Sequence, residues 1–277
     1  MSSILTNNSA MSALSTLRGI NKNLNQTQDR ISSGLKVSSG KDNAAYFSIS
    51  ETMKGDSGMN KSINEGLTLT KNVISTGRMG AETVTDLATK FVERVAFAQG
   101  EGVDKAEVQK ELDGLVKQMT AAISQANFNG STMFSATAAD KITAVTGFTR
   151  TAAGAYDAAT TMEFGKIDVE AIATALDGID VSTSTDLQAD LKTAEGELGK
   201  AIDAATTLAV AESSIENQQD FLTELSNKLD SGIGSMIDAN MEEEAARLQA
   251  LQVQQQLSSQ ALSIANQAPQ NILSLFR

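Results

Sequence analysis

Between Leu248 and Phe276 the chain carries no charge over 29 residues, and Met1 to Leu17 carry none either. This limits the fold more than any other feature. A soluble helix normally keeps charge on its solvent face. In the C-terminal stretch the apolar residues fall into two stripes at helical spacing. Ala246, Ala250, Val253, Leu257, Ala261, Ile264 and Ala268 make one, and Leu248, Leu251, Leu262 and Ala265 help make the other. Gln252, Gln254, Gln255, Gln256, Ser258, Ser259 and Gln260 lie between them. Near the N-terminus Ala10, Leu14, Leu17, Leu24 and Ile31 form a single stripe. A helix with two apolar stripes and no charged face has neighbours on two sides. It holds too much Gln and Ser for lipid, and no run of about 18 apolar residues suited to a membrane span occurs. The remaining environment is a protein assembly, in which these ends meet other copies. In a lone subunit they would lack partners and stay unfolded.

The middle of the chain reads as helix. Leu67, Ile74, Ala81, Ala88 and Val95 are seven apart, as are Thr70, Gly77, Val84, Phe91 and Ala98. Together they form an a/d seam broken only at Thr70 and Gly77. Gly100 and Gly102 end that helix. Asp104 then starts another, with Glu107 completing a capping-box pattern. Val108, Leu112, Leu115, Met119, Ala122 and Ala126 share one face, and Asn129-Gly130 closes the element. So short a connection predicts an antiparallel pair. From Ser131 to about Thr185 the periodicity fades. Lys141–Phe148 and Thr161–Val169 read as short strands around a turn near Gly154, and the stretch is expected on the outside. A third long helix begins near Asp186. Its stripe at 187, 191, 194, 198, 201, 205, 208, 212, 215, 219, 222, 226, 229, 233 and 236 is apolar except at Glu212, Gln219 and Ser226. Gly232 and Gly234 weaken its end. The fold class is therefore mainly α: a long antiparallel helical bundle or coiled coil with a small β-containing outer segment.

Composition removes most chemistry. The 277 residues include no Cys, His or Trp and one Pro, Pro269. There is no imidazole base or imidazole metal ligand and no thiol nucleophile or zinc thiolate. An enzyme is not expected, nor a cofactor. A net charge of −12 opposes binding to nucleic acid. The opening MSSILTNNSAMSALSTL lacks a basic start and a continuous apolar stretch, so no cleaved secretory signal is expected.

Two distant blocks carry a family resemblance. Arg30–Ile49, RISSGLKVSSGKDNAAYFSI, closely resembles the most recognisable N-terminal stretch of bacterial flagellins. Phe128-Asn129-Gly130 resembles the F-N-G that precedes their variable region. Leu248–Arg277, LQALQVQQQLSSQALSIANQAPQNILSLFR, is similar to the flagellin ending. The opening SSILTNNSAM and the phrase ALSIAN look most like the alphaproteobacterial type.

The resemblance implies a filament subunit for swimming. Residues 1–43 would be an inner-tube helix and connecting loop, 44–130 and 186–239 the outer-tube helices, 131–185 a short variable outer segment, and 240–277 the C-terminal inner-tube helix. The inner-tube polymerisation interface would involve Leu14, Leu17, Leu24, Ile31, Leu248, Leu251, Val253, Leu257, Leu262, Ile264, Ile272 and Leu275. Ser32–Asn43 would join the layers, with Gly34 and Gly40 suited to positive φ and Asp42 beside them. The implied partners are further copies, sister flagellins, an export chaperone, and the cap and hook-associated proteins, with an extracellular location reached by flagellar type III export.

Sharper readings compete with plainer ones. Glu242-Glu243-Glu244 suggests a cation site, but acids after a capping Asn240 also suit a helix dipole. The N-x-S/T matches at Asn7, Asn25, Asn60 and Asn129 are short enough to arise by chance. Phe91–Ala96 is the nearest match to the helical R-V-R-E-L-A stretch bound by animal innate receptors; a receptor footprint would fall on Glu93 and Arg94, whose reversed order departs from that stretch and counts against recognition. Gln28–Ser50 corresponds to the segment that plants recognise and departs from eliciting versions at Lys41-Asp42-Asn43 and Tyr46-Phe47. The alternative function is a hook–filament junction protein, which shares the terminal helices.

Overall fold

A computed structural model describes residues 6–137, 140–152 and 154–275, the side chains of 268–275 excepted. Among them are helices α1 (Asn8–Ser33), α2 (Ala44–Ala98), α3 (Lys105–Gln125), α4 (Glu170–Asp177), α5 (Leu187–Ile237) and α6 (Met241–Leu275). An antiparallel hairpin, β1 (Lys141–Arg150) and β2 (Tyr156–Gly165), lies between α3 and α4 in sequence. The chain divides into two compact units, residues 1–57 with 227–277, and residues 58–226.

In the 58–226 unit the α2 seam is the core. Leu67, Ile74, Ala81, Val84, Ala88, Phe91, Val95 and Ala98 are all buried. The break at Gly77 has a steric reason. A Cβ there would lie 2.8 Å from Met133 Cβ, and one at Gly80 would lie 2.5 Å from Ala126 Cβ. The two glycines form a notch that seats the chain on either side of the Asn129-Gly130 turn. Gly80→Ala is therefore expected to lower stability by about 1–3 kcal/mol through overpacking. Gly66→Ala, on the same helix with nothing within 4 Å of its Cβ, should raise it by up to about 1 kcal/mol. Urea unfolding of the two variants checks this contrast; equal shifts would remove the notch from the account.

Every position of the predicted α5 stripe in this unit is buried or half-buried, and two of its polar members, Glu212 and Gln219, have partners on α2. Glu212 accepts from Arg78 Nε at 2.7 Å, and Gln219 donates to Thr68 Oγ1 at 2.8 Å. Lys71 meets Glu216 at 2.7 Å and Asn64 donates to Thr223 at 3.0 Å. Rising positions on α2 meet falling positions on α5, so the two run antiparallel here. The Glu212 hydrogen bond, with Glu82 second, holds the Arg78 guanidinium above its ordinary pKa.

Asp104 caps α3 by accepting from Ala106 N at 3.1 Å and Glu107 N at 3.3 Å, the first half of the expected capping box; the Glu107 carboxylate accepts from Lys110 at 2.7 Å instead of turning back to the Asp104 amide. Val108, Leu112, Val116 and Met119 are buried. Arg94 on α2 meets Glu111 on α3 at 3.1 Å, while Ala126, just past α3, packs at Gly80. These two contacts make α2 and α3 an antiparallel pair.

The 131–185 stretch differs from its sequence reading. The strands run 141–150 and 156–165, and what was expected as the end of a second strand instead enters α4. Val169, Ile172, Ala173, Leu176, Ile179 and Val181 are buried, so the second half of this stretch belongs to the core and not to the outside. Gln109 on α3 fastens it, accepting from Val181 N at 2.9 Å and donating to Ile179 O at 3.3 Å. The hairpin is held by Gln218 on α5, which donates to Thr146 O at 2.8 Å. Its turn is closed by its own backbone, with Thr151 N donating to Ala155 O at 2.8 Å and Gly154 at φ +81°.

Candidate polymerisation surface

In the unit formed by 1–57 and 227–277, α1 and α6 lie against each other. On α1 the residues turned inward are Ala10, Ala13, Leu17, Ile20, Leu24, Thr27 and Ile31. On α6 they are Glu244, Leu248, Leu251, Gln255, Ser258, Leu262 and Ala265. Both sets alternate steps of three and four, as a two-helix seam requires. Asn7 donates to Ala265 O at 2.8 Å, Gln255 to Asn21 at 2.7 Å, and Arg30 to Glu244 at 3.1 Å. The pair is antiparallel. Asn240 caps α6, accepting from Glu242 N at 3.1 Å and Glu243 N at 3.4 Å. Among the described residues no acidic cluster is grouped to hold a metal ion.

The two stripes of α6 thus have different positions. Leu248, Leu251 and Leu262 pack against Leu17, Leu24 and Ile31 side of the seam, all buried or half-buried. Val253, Leu257 and Ile264 stand 55%, 59% and 69% exposed. Leu14 is at the seam's edge, 37% exposed, and Met11 beyond it is 60% exposed. The side chains of Ile272 and Leu275 lie outside the described residues. A signal for this division is present in the sequence. The inner stripe repeats every 3.5 residues, roughly the period of a left-handed two-helix seam, whereas the outer repeats at roughly 3.7. The polar seam members Asn7, Asn21, Thr27 and Gln255 are the residues that a search for apolar periodicity misses.

The loop between α1 and α2 closes this unit. Gly34 ends α1 at φ +74° and donates to Arg30 O at 2.8 Å. Lys36 N donates to Ile237 O at 2.6 Å and Ala239 N to Gly34 O at 2.8 Å. Val37 is buried with Ile233 and Ile237. Gly40 does not adopt the positive φ expected of it; its Cβ position meets only Phe47 at 3.7 Å. Asp42 gathers the loop, accepting from the Ser38 and Ser39 amides at 3.1 Å each and from both hydroxyls. The Ser38 amide first, then Ser39, holds its carboxyl below the usual 3.8.

A carboxylate with a depressed folded pKa stabilises fully above its unfolded value and loses that contribution as pH falls through the folded one. Loop order at Ser38–Asp42 should therefore persist at pH 5 and disappear only below about pH 3.8. Exchange of the Ser38 and Ser39 amides, compared between the parent and Asp42→Asn, checks it. An Asn variant with unchanged exchange at pH 5 would count against this role.

Glu93 and Arg94 are both exposed on α2. Arg94 is engaged with Glu111 across the helix pair, each side chain about half exposed, a geometry that contributes little stability.

No described helix is long and apolar enough to cross a membrane. A helical chain whose ends pair through one stripe and leave a second, uncharged stripe bare is a subunit suited to associating with its own copies. Residues 4–139 match the bacterial flagellin N-terminal helical region, and residues 191–276 match the bacterial flagellin C-terminal helical region. The flagellin of Brucella melitensis biotype 1 is 40% identical over the whole of both chains. Flagellin C of Rhizobium meliloti strain 1021 is 35% identical, again over the whole of both. Flagellin FljM of Caulobacter vibrioides is 32% identical over 100% of this chain and 99% of its own. The chain belongs to the bacterial flagellins. It is a structural subunit that polymerises into the flagellar filament, outside the cell, for swimming. These relatives lend nothing to the hook-junction alternative.

Proposed function

We propose that this flagellin polymerises through its terminal helices, with the bare stripe of α6 as the principal surface for neighbouring copies. The observation that carries this is the exposure of Val253, Leu257 and Ile264 on a helix with no charge after Arg247 in its described residues. Burying each such side chain contributes roughly 1.5–3 kcal/mol, against the cost of ordering the ends. Leu14 and Met11 extend the apolar surface on α1, and Ile272 and Leu275 are assigned to it from the sequence. Leu17, Leu24, Ile31, Leu248, Leu251 and Leu262 serve it from the seam, holding the two helices as one unit.

In this reading residues 1–43 and 240–277 line an inner tube, and 44–130 with 186–239 form the outer tube. Residues 131–185 stand in place of larger outer domains, and the loop with Gly34, Gly40 and Asp42 joins the layers. Head-to-tail contact between unlike surfaces gives an open helical polymer instead of a closed ring. The role is structural and non-enzymatic. Export proceeds through the flagellar type III route. A chaperone holds the C-terminal helix before assembly, and cap and hook-associated proteins bound the filament.

The test is seeded growth. Full-length protein added to short filament seeds is expected to give long tubes by negative-stain microscopy, and a chain lacking Asn240–Arg277 to stay monomeric. Equal growth of the truncated chain would overturn the assignment to the terminal helices.

A further inference from the structure

Asn129-Gly130 is the single Asn-Gly step in the sequence. Asparagine is a labile residue, most of all before glycine, whose missing side chain leaves its own amide nitrogen unshielded. That nitrogen can attack the carbonyl carbon of the neighbouring side chain. The bond from Gly130 N to Asn129 Cγ forms and the Cγ–Nδ2 bond breaks. Ammonia leaves with the proton of the Gly130 amide, and a five-membered cyclic imide remains. Water then opens the ring at either carbonyl, giving aspartate or isoaspartate. The sequence of steps consumes one water and needs no oxidant, metal or enzyme.

The reactive atoms are bare. Asn129 and Gly130 are both exposed, and a Cβ on Gly130 would meet nothing within 4 Å. Among the described residues neither the Asn129 side chain nor the Gly130 amide is hydrogen-bonded. Only the backbone keeps them apart. Phe128 N donates to Ser131 O at 2.8 Å and Ser131 N donates to Phe128 O at 2.9 Å. Between them Asn129 and Gly130 lie at φ +50° and +80°. Two central residues with positive φ inside such a pair of bonds make a type I′ turn, in which ψ of the first is about +30°. The attack needs Cβ and the next nitrogen on the same side of the Cα–C bond. At this ψ they stand on nearly opposite sides, so Cγ is out of reach while the turn is closed.

The turn is itself fastened. Thr132 Oγ1 donates to Ala126 O at 3.0 Å and accepts from Phe134 N at 3.1 Å. Met133 is fully buried against Gly77, and Ala126 sits against Gly80. Opening the turn disturbs this seat.

We infer that Asn129 is a site of spontaneous deamidation gated by the fold: closed and seated in the Gly77–Gly80 notch, the turn protects it, and it reacts when the turn opens. Isoaspartate there routes the main chain through Cβ. It adds one backbone atom to a two-residue turn, and the turn then cannot keep both Phe128–Ser131 bonds and return Met133 to its place.

The test follows the full-length protein at mildly alkaline pH over several weeks. The peptide containing Asn129 is read by mass spectrometry, and isoaspartate is counted by enzymatic methylation. The same protein in guanidinium chloride at equal pH gives the ungated rate. The folded rate should be lower by about tenfold or more, because reaction is limited to a locally opened population. Gly80→Ala, which crowds Ala126, should raise the folded rate by about fivefold or more and leave the rate in denaturant unchanged. Gly66→Ala should alter neither. Chain modified in denaturant, refolded and separated by its added charge should unfold at lower denaturant than unmodified chain treated alike. Equal rates in the folded and denatured protein would overturn the gating, and absence of product in denaturant would overturn the site. A parental folded rate in Gly80→Ala would remove the notch from it. An unchanged unfolding midpoint in the modified chain would show that the seat does not depend on the turn.

Discussion

Replacing Val253, Leu257 and Ile264 together with Asp is expected to abolish filament growth on seeds while the helical circular dichroism of the soluble chain stays at the parental level. All three side chains are more than half exposed, so in the lone subunit the carboxylates remain in water. Their effect is confined to association. There each apolar contact is lost and each charge must either be desolvated or keep the neighbour away. An unpaired carboxylate taken from water costs several kcal/mol, so three exceed what the remaining contacts can offset. The pelleted fraction after seeding measures this. Substituting Gln252, Gln256 and Ser259, exposed residues that are polar already, with Asp is the control for added charge alone. Parental growth of the triple variant would show that this face of α6 is not the surface that copies share.

The second large effect concerns the 58–226 unit. Phe91→Ala is expected to destabilise it by about 3–5 kcal/mol, because Phe91 is fully buried in the α2 seam. Phe97→Ala, six residues further along the same helix, should change stability by no more than about 0.5 kcal/mol, since Phe97 is 56% exposed. Denaturant unfolding of the two variants separates burial from residue type. A Phe91→Ala shift below about 1 kcal/mol would mean that the seam collapses to fill the hole, contrary to the rigid packing expected of such a core.

What the sequence made legible was what repeats. The α2 seam, the α5 stripe and the Asp104 cap all follow from spacing, since a buried helical face must return every three to four residues. Short elements without such repetition were less legible. Helix α4 has eight residues, too few to show a period, and its helical state depends on burial against α3. The inward turn of Val169 to Val181 depends on Gln109, a residue 60 or more positions away whose partners are backbone atoms. Such a contact leaves no pattern in either segment. Gly40 was read from residue type alone, and residue type does not fix φ.

The candidate surface was legible in part. Two stripes on one uncharged helix were enough to imply two sets of neighbours. Which stripe α1 takes was hidden because the inner one contains Gln255 and Ser258, which resemble solvent-facing spacers until Asn21 is placed opposite. The notch at Gly77 and Gly80 was likewise visible only as an interruption. Its meaning depends on Met133 and Ala126, which the turn at Asn129-Gly130 returns to α2.

The turn between β1 and β2 has a practical consequence. It is closed by its own backbone hydrogen bonds and is exposed to solvent. A foreign peptide spliced between Thr151 and Ala155 would be lifted on two paired strands, with little reason for the helices beneath to register its length. If each subunit of a polymer carried one, the graft would be displayed at the lattice spacing along the tube. Weak ligands presented that way gain avidity without any change in their individual contacts.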